Sequence, residues 1–428
     1  MRTFHKSNNL FRQVRKLIPL ASQTFSKSYV NFVKGVAPLF LTHGKGSYVW
    51  DVDGNRYVDL VNGLLPVILG YQYPAVNRAI RTQMNKAMTL SLAAPQEYEL
   101  AKLLNKHIPS AEMVRYGKNG SDVTTGAIRL ARAVTGREHV LVCGYHGWHD
   151  WYIGSTTRNL GVPKSTIALT HKFEYNNLAS VEKFFRRYKN KIAAVILEPM
   201  SYEEPKDNFL QKLKTLTHKH GALLIFDEVI CGFRFSMGGA QKLFGVTPDL
   251  ATFGKSLGNG MPIAALVGKR KYMKLMEDVF FSFTFGGELL SIAAAIATIK
   301  EMEKKSVLKE VWRKGKFLQD ATHRLIAKHG LGEVLALKGK PCWQVFEIKE
   351  AGGFTNLEIK SYLQYKALQG GFLWHGQHNM SYSHKDADLK KLLVVYDRTF
   401  ALLRGHLDHG TLLEHLPGKP IDNIFKIR

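Results

Sequence analysis

In the middle of the chain, short and nearly continuous apolar runs alternate with helical patterns, and no other feature restricts the fold as strongly. Val140 to Cys143, Ala193 to Leu197 and Ala222 to Phe226 have the length and apolar character of strands buried on both faces, as in a parallel sheet. After Gly120, the apolar residues Val123, Ala127, Leu130 and Ala131 fall at i, i+4, i+7 and i+8, one face of a helix, with Arg129 and Arg132 directed elsewhere. Leu289 to Lys305 predicts a second long helix, buried over Ile292 to Ile296 and exposed over Lys300 to Lys305. Strands and helices in alternation mean βαβ units, hence an α/β fold with a mainly parallel sheet. From about residue 306 the pattern changes to an amphipathic helix, Trp312 to His329, and shorter strand-like runs, Trp343 to Ile348 and Phe372 to Trp374. The expected organisation is a large domain over 61–305 and a smaller α+β domain over 306–428, to which an N-terminal segment, 1–60, contributes.

Composition narrows the function. Of 428 residues 45% are hydrophobic and 22% charged, enough to bury large cores and unlike a disordered polymer. Cys143, Cys231 and Cys342 lie far apart, which excludes a disulfide framework and a CxxC metal knuckle and points to a reducing, cytoplasmic setting. No apolar run approaches the roughly 20 residues that span a bilayer, so no membrane span is expected. The net charge is +25, and residues 1–50 carry eight basic residues and no acid. A solvated basic surface is the plain reading of that charge. Attraction of an anionic substrate or membrane surface is the next, and nucleic acid is not expected, because no helix-turn-helix, zinc finger or RNP-type motif accompanies it.

Gly254-Lys255-Ser256 echoes a phosphate loop, but the glycine required five positions earlier is Asp249, which argues against a nucleoside triphosphatase. The pairs His146/His149 and His375/His378 have i, i+3 spacing without further ligands nearby, so no metal is expected. A more specific constellation is the run Ala222 to Phe226 ending in Asp227, followed 28 residues later by Lys255 between Gly254 and Gly258. An aspartate at the end of a buried strand requires a cationic partner, such as a protonated pyridine nitrogen, and a lysine in a tight pocket suits imine formation. Tyr116 to Asp122 leads into the first helix, so Gly120 and Ser121 face whatever lies at its N-terminus, and a phosphate fits there. Tyr145 follows the strand Val140 to Cys143 and offers a ring to stack on a flat cofactor.

With these residues in place the chain resembles the class III aminotransferases among the fold-type-I pyridoxal phosphate enzymes, and within them the glutamate-1-semialdehyde 2,1-aminomutase branch. The resemblance runs from about Asn9, which leaves little room for a transit peptide, to residue 400. It includes Leu17-Ile-Pro19, Val49-Trp-Asp-Val-Asp-Gly54, Arg129-Leu-Ala-Arg132, Thr135-Gly-Arg137, Tyr145-His-Gly147, Glu198-Pro199, Ile225 to Arg234, Gly238-Gly-Ala-Gln241 and Thr247-Pro-Asp249. It implies that pyridoxal 5'-phosphate is the cofactor, that Lys255 carries it as an imine, that Asp227 pairs with the pyridine nitrogen and that Val229 packs under the ring. It also implies that Gly120 and Ser121 bind the phosphate, that Tyr145 stacks on the ring and that Glu198 lies at the cofactor's edge. Thr284 matches a threonine that reaches the phosphate of the partner subunit, which implies a homodimer.

The chain departs from the family pattern in three places, the last two of which bear on the substrate. Lys118-Asn-Gly-Ser-Asp122-Val replaces Asn-Ser-Gly-Thr-Glu-Ala, shortening the acid, and Thr24 to Ser28 replaces the aminomutase run Ser-Pro-Val-Arg whose arginine holds the substrate carboxylate. Leu373 to Lys385 also lacks an arginine, so a bidentate carboxylate clamp is missing from both expected places. The expected activity is therefore transfer of an amino group from an amino acid, glutamate foremost, to a small carbonyl acceptor. Trp374, His375 and His378, read as a polar mouth, would suit a sugar or phosphorylated ketone. The alternatives are the aminomutase reaction and a basic binding protein on a decayed enzyme fold, the latter opposed by the intact Asp227 and Lys255.

Overall fold

The computed structural model describes residues 2–421; the end of the expected small domain, 422–428, lies outside the described residues. The described chain divides into two compact units, one of residues 2–64, 68–73 and 309–421, the other of residues 65–67 and 74–308.

In the second unit the apolar runs become strands of a seven-stranded sheet. Its order is Met113–Gly117, Ala264–Gly268, Leu250–Phe253, Leu223–Asp227, Ile192–Leu197, His139–Cys143 and Thr170–Lys172. The strands from Leu250–Phe253 to Thr170–Lys172 are parallel, whereas Ala264–Gly268 runs antiparallel to both of its neighbours. Every residue of Ile192–Leu197 and Leu223–Asp227 is buried, as a sheet covered on both faces requires.

The helix Gly120–Thr135 covers one face, and Val123, Ala127, Leu130 and Ala131 join a core that includes Val140, Ala194, Ile225 and Leu266. Each fully buried aliphatic side chain of this kind contributes about 1.5–3 kcal/mol. The shortened acid at its N-terminus has a local reason. Asp122 Oδ2 accepts from the amides of Lys118 at 2.9 Å and Asn119 at 2.8 Å, closing a capping box that needs no longer side chain. The second long helix, Leu289–Lys304, starts on Glu288, whose carboxylate accepts from the amides of Leu290 and Ser291. It buries Ile292, Ala294, Ala295 and Ile296 and exposes Lys300.

The first unit has a four-stranded sheet, Leu41–Lys45, Tyr48–Asp51, Arg56–Asp59 and Phe372–Leu373, and a three-stranded one, Leu335–Lys340, Trp343–Ile348 and Gln377–Asn379. Its interior corrects one sequence expectation. Trp374 is 1% exposed and meets Phe346 edge-on, while His378 is fully buried between Gln344 Oε1 at 2.8 Å and Tyr396 Oη at 2.7 Å. Gln344 Nε2 already donates to the Gly315 and Pro341 carbonyls, so its oxygen is the face turned to His378. Burial pushes the His378 pKa down to about 3, so the ring is a neutral link in a core network. These two residues pack the unit and do not form a mouth. Among the described residues no helix is long and apolar enough to cross a membrane.

Candidate active site

Parallel strands end at one edge of their sheet, and four adjacent ends here carry polar side chains. Lys255 follows Leu250–Phe253, Asp227 closes Leu223–Asp227, Glu198 follows Ile192–Leu197, and Tyr145 with His146 follows His139–Cys143. Met113–Gly117 runs in the same direction, because Ala264–Gly268 is antiparallel to it and to Leu250–Phe253, and so delivers Gly120 and Ser121 to the same edge. Glu228, one residue beyond Asp227, turns the other way. Its carboxylate takes the amides of Ala240 and Gln241, at 2.6 and 2.8 Å, at the start of the helix Gly239–Phe244, and burial pushes its pKa up to about 7.

Asp227 is 4% exposed and nearly saturated. His146 Nδ1 lies 2.8 Å from its Oδ2, while the Val229 amide at 3.1 Å and Thr252 Oγ1 at 3.2 Å donate to its Oδ1. A carboxylate has about four lone-pair sites, so one remains for a further donor. His146 is held in turn by the Cys143 carbonyl, 3.2 Å from Nε2, and by the edge of Tyr152 at 5.2 Å. The sequence singled out His146 only as half of a pair with His149, which instead meets Thr125 Oγ1 at 2.7 Å. Its position beside Tyr145 at a strand end was the available signal.

Glycines shape the space next to Asp227. A Cβ on Gly120 would stand 3.2 Å from both Val229 methyls, and one on Gly147 would collide with Ser121 Oγ at 2.3 Å. Gly147 has φ +104°, so both its conformation and its closeness to Ser121 demand glycine. Ser121 Oγ accepts from the Trp148 amide at 3.2 Å and keeps its own proton for another acceptor. Gly120 and Gly254 thus both lie against Val229, and Ser121, in the first turn of a 16-residue helix, lies against Gly147.

Lys255 lies deep in this unit, yet part of its side chain stays open to solvent, as a residue lining a recess does. Desolvation holds its amine below the ordinary lysine value; Glu198 and Asp227 oppose that shift, and Arg234 adds to it. Burial raises the Glu198 carboxyl, and the nearby Asp227 raises it further. Glu198 Oε2 accepts from the Tyr145 amide at 3.2 Å. Tyr145 is half exposed, its ring edge-on to Tyr152.

Thr284 stands apart from this group, exposed in the segment 280–285. Phe281 of that segment packs on Gly126, and Arg129 donates to the Phe280 carbonyl at 2.7 Å. Lys27 is exposed on the single turn Phe25–Lys27. Arg234, the other cation considered for a carboxylate, is fully buried with its guanidinium on the Leu65 carbonyl at 2.8 Å and Ser256 Oγ at 3.4 Å.

A sheet edge with this donor set defines a class of protein. The chain belongs to the aminotransferase class-III family, which matches residues 29–381, and is a pyridoxal-phosphate-dependent enzyme of that family. It is 38% identical, over 90% of its length and 94% of the relative's, to the 3-aminobutyryl-CoA aminotransferase of Cloacimonas acidaminovorans. It is 35% identical to the glutamate-1-semialdehyde 2,1-aminomutase of Chlorobium luteolum, over 91% of this chain and 97% of that one. The FumI protein of Sphingopyxis sp. MTA144 has the same fold, with a TM-score of 0.87 and 26% identity over 95% of this chain and all of that one.

The residues present fit pyridoxal phosphate. The cofactor needs a carboxylate with a vacant acceptor site, a recessed amine, and an anion seat clear of side-chain carbons. Asp227, Lys255 and the Gly120–Ser121 turn beside Gly147 offer these three at one edge of the sheet.

Proposed function

We propose that the chain catalyses intermolecular transamination, moving an amino group from an amino acid donor, glutamate foremost, to a carbonyl acceptor that lacks an α-carboxylate. The observation that carries this reading is Lys27 in place of the aminomutase arginine, while Arg234 has no exposed surface and spends its Nη2 on the Leu65 carbonyl and Ser256. A lysine gives a carboxylate one point charge where arginine gives two directed hydrogen bonds. The relative named for 3-aminobutyryl-CoA acts on a thioester and supports the same reading. Burial of Trp374 and His378 removes two of the three residues read as a polar mouth for a sugar.

Bound pyridoxal phosphate supplies an electron sink for the carbon that carries the amino group. Lys255 would hold the cofactor, and its Nζ would move the proton at that carbon. Asp227 keeps a proton on the pyridine nitrogen through its remaining acceptor site, and His146 and Thr252 fix the carboxylate that does so. Val229 would support one face of the ring, Tyr145 would cover the other, Glu198 would border the edge, and the Gly120–Ser121 turn would hold the phosphate.

Excess glutamate with a panel of carbonyl acceptors tests the activity. A transaminase releases one keto acid per turnover, and its best acceptor is a ketone without the α-carboxylate. Absence of keto acid, or a carboxylated ketone preferred over its matched partner by about tenfold, equal to ~1.4 kcal/mol, favours the aminomutase reaction.

The enzyme is proposed to work as a homodimer in which Thr284 reaches the partner's phosphate. Around Thr284, Phe280 is 76% and Phe285 58% exposed, an apolar surface of the kind that packs against a second chain. Thr284→Ala and Lys255→Ala, each inactive alone, should recover activity when mixed and reassembled, because one site of each mixed dimer is then unmutated. No recovery despite demonstrated subunit exchange would remove Thr284 from the partner's site.

A further inference from the structure

The segment 228–238 buries a full positive charge close to Lys255. Arg234 has no exposed surface, and its Nη2 donates to the Leu65 carbonyl at 2.8 Å and approaches Ser256 Oγ at 3.4 Å. Ser256 Oγ in turn donates to the same carbonyl at 3.3 Å, as a hydroxyl with one proton and two lone pairs can do. Both ends of this arrangement are conformationally strained. Leu65 has φ +83° and Lys255, bonded to Ser256, has φ +42°, in the left-handed region that residues with a side chain avoid unless their surroundings hold them there. The hydrogen bonds of Arg234 and Ser256 are those surroundings.

We propose that Arg234 is a positioning residue for Lys255: through the Leu65 carbonyl and the Ser256 hydroxyl it locks the strained turn that aims the Lys255 amine toward Asp227 and Glu198. The groups that face this amine are Glu198 and Asp227 from the neighbouring strand ends, and Cys231 and Arg234 from the segment after Asp227. Glu198 and Asp227 favour a proton on the amine and Arg234 opposes it, so Arg234 acts both as a clamp and as a fixed charge. A lysine can supply the charge, but its shorter side chain does not carry a donor out to the position of Nη2, which separates the two actions. The proposal rests on Lys255 being the residue that carries the cofactor.

Three holoenzyme variants test it, read by kcat, by the donor KM and by the pH midpoint of the bound cofactor's absorbance. Arg234→Gln should lower kcat by about 10–100-fold with the donor KM changed less than about threefold, the pattern of misaimed chemistry. Its midpoint should rise by about one unit, because a nearby positive charge is gone. Arg234→Lys should lower kcat and leave the midpoint in place. Ser256→Ala, which removes one hydroxyl from the clamp, should lower kcat by about 3–10-fold. An Arg234→Gln enzyme with kcat within twofold of the parent and an unmoved midpoint overturns the proposal. If that variant does not fold, full kcat in both Arg234→Lys and Ser256→Ala overturns it. Borohydride reduction of the same preparations keeps the two readings apart, since a label away from Lys255 defeats the assignment of Lys255 itself.

Discussion

Lys255→Ala should reduce turnover by about four orders of magnitude, because one side chain is asked both to hold the cofactor and to move the substrate proton. Arg234, the cation near it, cannot take over, because a guanidinium stays protonated. The variant should stay folded. Alanine at residue 255 has the same left-handed backbone to adopt, and the amine it replaces is held below its ordinary pKa by desolvation. The sign of that shift makes a second expectation. Unfolded chains bind the Lys255 proton more tightly than folded ones, so the cofactor-free parent gains stability as pH rises toward the ordinary lysine value of 10.5, and the alanine variant lacks that part of the gain. Parallel melts across this pH range, with circular dichroism at pH 7, check both points.

Asp227→Asn should lose on the order of 10²-fold or more in kcat while still binding cofactor. The amide has the size of the carboxylate and can still accept through its oxygen, so the Val229 and Thr252 contacts need not be lost, and the phosphate end and Lys255 are unaltered. What it lacks is the charge that holds a proton on the pyridine nitrogen, without which the ring is a poor electron sink. Cofactor content measured beside kcat separates the two effects. Activity within a few-fold of the parent would contradict the role of Asp227, and loss of cofactor would make it a binding residue first.

Much of this arrangement could be read in the chain because strand and helix periodicities are local. An apolar run of five residues that ends in an aspartate says by itself that a charge sits at a strand end, and parallel strands bring such ends together. The placements of Asp227, Glu198, Lys255 and Tyr145 along one sheet edge follow from that. Periodicity gives the face a residue occupies but not its neighbour. His146 reaches Asp227 across 81 positions of sequence and Arg234 reaches Leu65 across 169, and sheet order and loop paths, not local pattern, create those contacts. The antiparallel strand Ala264–Gly268 was hidden for a related reason, since a short apolar run carries no mark of its direction. Trp374 and His378 misled because polar and aromatic residues read as a mouth when their partners are unknown. Gln344 and Tyr396, which satisfy His378 inside the core, lie 34 and 18 residues away.

The placement of the cofactor on Lys255, beside Asp227 and the Gly120–Ser121 turn, is the central claim. Borohydride reduction of the holoenzyme, followed by proteolysis and mass mapping of the phosphopyridoxyl group, tests it most directly. Reduction turns the labile imine nitrogen into a stable amine, so the label stays where the cofactor was bound. The account predicts one labelled peptide, the one that contains Lys255, and none from the Lys255→Ala variant. A label on any other lysine of the active holoenzyme would contradict it.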